Sequence, residues 1–185
     1  VRKKVINILV GLSIFLLTVS YPFTASAASG TSIFKSKYPK QVIRVSKSVD
    51  LDKDRKPETV ILTTLGYLYL VKGNKVTLVE KNIVSDKGFP APKLTINHPA
   101  QDEYQVIIRL FYGASNTRAF VYRMQKGKLV KVLDVVGDVE IKIHKGKIYQ
   151  VWKMYRDEGL WDPVTAVYSW NSKKQKFDVS GMVPN

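Results

Sequence analysis

The chain has 185 residues, with 30 lysines and arginines against 15 aspartates and glutamates, no cysteine, and a formal charge of +15. Without cysteine it has no disulfide, no thiolate metal site and no lipid attached through cysteine, so its stability must come from buried apolar surface. The charge points toward anionic partners rather than cationic ones.

Arg2, Lys3 and Lys4 precede an apolar run from Val5 to about Val19, and Ala25-Ser26-Ala27 supplies a small-x-small cleavage pattern. This order predicts a secretory signal peptide over 1–27. The run falls short of the roughly 20 apolar residues that a membrane span needs, and an uncleaved signal anchor is the alternative reading. The leading valine is what a GUG start translated literally would leave, which suggests a bacterial gene. The expected location is therefore secreted or extracellular, in association with the cell wall. Residues 28–40 read as a flexible lead, and 41–185 as a single all-β domain.

Period-two apolar runs follow at Val42–Val45, Thr59–Leu62, Tyr67–Val71, Val76–Val79, Tyr104–Leu110, Ala119–Tyr122, Leu129–Leu133, Val139–Ile143, Ile148–Met154 and Val164–Trp170. They are rich in β-branched and aromatic residues, and no sustained helical period interrupts them. Lys72-Gly73-Asn74, Lys126-Gly127 and Lys145-Gly146 mark turns between them. The predicted class is an all-β antiparallel meander. Tyr69, Tyr122 and Tyr168 each close a strand–connection–strand pattern, and they recur roughly 50 residues apart, the spacing of propeller-type repeats. About three four-stranded units result, in an open propeller-like or sandwich arrangement. Pro90, Pro92, Pro99 and His98 mark the boundary between the first two units.

Asp50-Leu51-Asp52-Lys53-Asp54-Arg55-Lys56-Pro57-Glu58 is the densest acidic segment of a basic chain. Asp50, Asp52, Asp54 and Glu58 fall at loop positions 1, 3, 5 and 9, and the backbone carbonyl of Lys56 at position 7. A hard cation needing 6–8 oxygens suits alternate residues that turn toward one centre. The loop resembles the calcium loop of FG-GAP (VCBS-type, integrin-like propeller) repeats, Asp-x-Asp-Gly-Asp-Gly-Lys-Pro-Asp before a hydrophobic strand. That resemblance implies an extracellular, calcium-supported adhesion or ligand-binding module. Lys53 and Arg55 stand where the family has glycine, so a turn whose carboxylates merely pair with these bases is the alternative.

Phe111–Thr117 and Tyr155–Pro163 occupy corresponding loops of the second and third units. Tyr112, Asn116, Tyr155, Trp161 and Asp162 are the candidate ligand-binding residues, since aromatics stack on sugar or peptide while polar groups fix orientation. His98 and His144 lack metal-ligand spacing, and no Gly-x-Ser-x-Gly occurs. The expected function is non-enzymatic binding to an anionic wall polymer or acidic polysaccharide, with peripheral membrane contact as a further option and no nucleic acid. A small secreted hydrolase acting on wall or polysaccharide through Asp157, Glu158 and Asp162 is the alternative.

Overall fold

The computed structural model describes residues 29–101, 103–113 and 116–184. The predicted signal peptide lies outside the described residues. No helix among those described is long and apolar enough to cross a membrane.

Alternating apolar residues produce twelve strands among the described residues. The first four are β1 (Ile43–Val49), β2 (Glu58–Thr63), β3 (Leu68–Lys72) and β4 (Lys75–Glu80). The next four are β5 (Lys93–Ala100), β6 (Glu103–Tyr112), β7 (Asn116–Gln125) and β8 (Lys128–Gly137). The last are β9 (Glu140–His144), β10 (Lys147–Tyr155), β11 (Trp161–Asn171) and β12 (Lys176–Gly181). They form three separate four-stranded sheets, each an antiparallel meander with its strands in chain order. The architecture is the expected open succession of three units.

The sheets stack face to face, because each strand carries apolar residues on one or both of its alternating faces. Val60, Leu62, Leu68 and Leu70 of the first sheet meet Val106, Ile108, Leu110, Phe120 and Tyr122 of the second. From the other face of the second sheet, Ile107, Ala119, Val121 and Val135 meet Ile141, Ile148, Ala166 and Tyr168 of the third. The middle sheet is thus buried on both sides, which explains the near-continuous apolar run at Val106–Ile108.

The lead segment differs from expectation. Residues 30–37, read as part of a loose stretch, form helix α1 (Gly30–Lys37), capped by the Ser29 side chain on the Ser32 amide. Phe34 is fully buried against Ile61, Tyr69 and Val71 on the outer face of the first sheet. One turn of aromatic packing holds it, with the Phe34, Tyr38 and Tyr69 ring centroids 5.0–5.4 Å apart. Eight residues are too few for periodicity to stand out, and an isolated helix of that length would be marginal without this contact. Strand β5 also differs from expectation, since it follows Pro92 and includes Pro99 in the stretch expected to be a boundary between units.

Tyr69, Tyr122 and Tyr168 lie on the third strand of their respective sheets, opposite Ile61, Val106 and Ile148. Each points toward the preceding layer: α1, the first sheet and the second sheet. Helix α1 therefore takes the place that a preceding sheet holds for the other two.

In a meander the first–second and third–fourth connections emerge at one end, and the second–third at the other. Two sets of contacts align these ends between sheets. The β4–β5 loop bonds both the β2–β3 turn (Ile83 amide to Gly66 carbonyl, 2.9 Å) and the end of β6 (Asp86 amide to Phe111 carbonyl, 3.1 Å). Asn97, near the β5–β6 turn, donates to the Gly146 carbonyl of the β9–β10 turn at 3.1 Å. The stack consequently has one end made of the acidic loop and the β3–β4, β7–β8, β9–β10 and β11–β12 turns.

Candidate functional site

The acidic loop joins β1 to β2 at that end. Lys53 and Arg55 adopt φ of 67° and 66°, the left-handed region in which the repeat family has glycine. Each costs on the order of 1 kcal/mol relative to an unstrained residue. The cost is met by loop hydrogen bonds: Asp50 accepts from the amides of Asp54 (3.1 Å) and Arg55 (2.9 Å), and Asp54 from the amide of Lys56 (2.8 Å). Asp50, Asp52 and Glu58 bring their oxygens within 4.8 Å of one another.

The centre of the cluster receives a side chain from another strand. Lys72, the last residue of β3, sends its ammonium to Asp52, to Asp54 at 2.8 Å and to Glu58 at 2.9 Å. An ammonium has three N–H donors, and all three find a carboxylate. Glu58 is only 1% exposed, and its second oxygen accepts the Leu51 amide at 2.8 Å. These bonds raise the Lys72 pKa, with Asp52 the largest contributor, and the same ammonium holds the Asp54 carboxyl below its ordinary range. One Asp52 oxygen is buried without a partner. The donor set suits a cation, and in this fold Lys72 supplies it. Lys56, the fifth expected ligand, contributes its amide to Asp54 while its side chain is exposed.

No family model, curated protein or solved structure matches the chain.

The ligand-binding candidates gather at the opposite end, on two hairpins. Tyr112 pairs with Asn116 across the β6–β7 turn, and burial raises its hydroxyl pKa. Tyr155 pairs with Trp161 across the β10–β11 turn, where they are 66% and 44% exposed. Arg156 grips both oxygens of Asp162, one of them from Nε at 2.6 Å, and this holds the carboxyl below its ordinary range. Lys153 sits 5.3 Å from the Trp161 ring centroid. Two cavities of about 300 and 530 Å³ lie around Arg44 and the β4–β5 loop, and none of the sequence candidates lines them. His98 stands edge-on to Tyr104, and His144 is exposed at the end of β9.

Lys72 reaches the acidic segment because β3 pairs with β2 and ends beside the start of β2. The signal is three-dimensional, since 14 residues separate it from Glu58.

Proposed function

We propose that the protein is a non-enzymatic β-repeat module exported to the cell envelope and held there on an anionic polymer. One observation carries this reading: among the described residues, most carboxylates are paired within the molecule, whereas most of the basic side chains are not. Lys72 takes three acids, Lys131 holds Glu80, Arg118 holds Asp134, and Arg123 holds Glu103. Arg156 likewise holds Asp162, and Lys174 holds Asp178. Such pairing leaves the surplus cations of the described residues facing solvent, so that the positive balance is presented outward.

The predicted leader and the resemblance of the acidic loop to extracellular repeats support the location. Calcium enters this reading only for a state in which Lys72 withdraws from the loop. The hydrolase alternative asks Asp162 to act as an acid or base while Arg156 keeps it ionised and paired, which favours the binding role.

Co-sedimentation of the full chain with purified envelope polymer, repeated across a salt series, tests the proposal. Binding at low salt that weakens linearly in log salt is the expected outcome. Absence of binding at low salt, or binding indifferent to salt, overturns it.

A further inference from the structure

The basic hairpin turns share one end of the stack, and two of them are built from unusual residues. The β7–β8 and β9–β10 hairpins have two-residue loops, Lys126-Gly127 and Lys145-Gly146, in which both residues have positive φ. This is the turn that asparagine or aspartate followed by glycine favours. Lysine occupies the first position in both, at φ 49° and 47°. A residue held in a sparsely populated conformation where a less strained one was available points to function at that residue.

The surroundings agree. Lys75, Lys126, Lys128, Lys145, Lys147 and Lys176 are exposed at this end, and none has an ion-pair partner among the described residues. The described acids here are hydrogen-bonded within the molecule: Asp50 by the Asp54 and Arg55 amides, Asp52, Asp54 and Glu58 by Lys72, Glu103 by Arg123, and Asp178 by Lys174 and Asn171. The exposed aromatic and large apolar residues of loops and turns, Leu65, Val84, Phe89, Tyr155, Leu160 and Trp161, belong to the other end.

Resting on the binding role proposed above, we infer that the hairpin-tip end is the contact surface, and that its occupant is a linear polymer with a phosphodiester backbone. The exposed cations of this end are lysines with one arginine, Arg55, and such dispersed ammonium point charges suit singly charged phosphates repeated along a chain, while a planar carboxylate finds a fork only at Arg55. Among the described residues the exposed rings at this end are the imidazoles of His98 and His144, and its turns carry no exposed large apolar side chain to insert into a bilayer.

The test is titration of the full chain with synthetic poly(glycerol phosphate), comparing wild type with Lys126→Asn/Lys145→Asn. Lys81→Asn/Lys87→Asn, which removes the same charge at the opposite end, is the control. The hairpin variant should melt higher than wild type because asparagine relieves the turns, yet bind more weakly, with a log–log salt slope smaller by about 2. The control should match wild type in affinity. Equal weakening of both variants would overturn the assignment of the end while leaving polyanion binding intact. Tighter binding of wild type to a carboxylate polymer or to anionic lipid vesicles would overturn the choice of occupant. No binding by wild type to any of the three would remove the underlying reading as well.

Discussion

Replacing Lys72 by methionine keeps the stem that lies along β3 and deletes only the ammonium. Glu58, 1% exposed, then retains the Leu51 amide as its sole donor, and Asp52, which already has one unpartnered buried oxygen, loses its partner on the other. Breaking a fully buried pair costs about 3–5 kcal/mol. Lys72 is 36% exposed and water reaches Asp52 and Asp54, so about 2 kcal/mol is the appropriate figure after screening. For a chain of this size that lowers Tm by about 4–8 °C. The pH dependence has a definite sign. The Asp54 carboxyl is held below its ordinary range, so its contribution is present above the unfolded value of 3.8 and fades as pH falls through the folded value. The raised Lys72 pKa is present throughout neutral pH and fades only in strong base. The gap between wild type and Lys72→Met should therefore be full at pH 7 and shrink below about pH 4. Thermal denaturation with and without calcium then separates the two cation readings. Wild type should be insensitive to millimolar calcium. The variant, with its carboxylates freed, should gain about 1.4 kcal/mol when calcium stands at ten times its dissociation constant. A wild-type Tm that climbs with calcium, or a variant as stable as wild type, would refute the view that Lys72 is the resident cation.

Phe34→Ala should cost about 3–5 kcal/mol in urea denaturation, since it empties a fully buried site between α1 and the first sheet. Gly146→Ala should destabilise clearly in the same assay, because its Cβ would stand 2.7 Å from the His98 carbonyl at a φ of +77°. The Tyr122 hydroxyl, raised by burial and by its bond to Glu80, contributes stability below pH 10 that is lost as pH rises further, so Tyr122→Phe should flatten the alkaline arm of the stability curve. Asp162→Asn should leave polymer binding at the hairpin-tip end unchanged, and a loss of binding in the titration would relocate the contact surface to the aromatic end.

Strand periodicity was legible wherever one or both faces are buried, as at Tyr104–Leu110 and Ile148–Met154. The recurring tyrosines fall on the third strand of each sheet. Ile61, Val106 and Ile148 stand opposite these tyrosines and are the equivalent positions of the second strands, which the unequal second–third connections hide in the sequence. Helix α1 was hidden because its stability comes from Tyr69 and Val71, which lie more than thirty residues on. The acidic loop could be read from spacing alone, but its occupant could not, since no local pattern says that the β3–β4 hairpin turns a lysine into it. The strained lysines were read only as turn residues, because the sign of φ is invisible until the pairing of Gln125 with Lys128 and His144 with Lys147 fixes a two-residue loop.

Helix α1 covers the first sheet where an earlier sheet would otherwise pack, while the outward face of the third sheet carries half-exposed Tyr149, Val151 and Val167. The array is therefore directional: its beginning is terminated by a lid and its finish retains the alternating surface on which the next layer would be laid. Among the described residues, a further meander laid on the third sheet would meet these half-exposed side chains, whereas insertion before the first sheet would first have to dislodge Phe34.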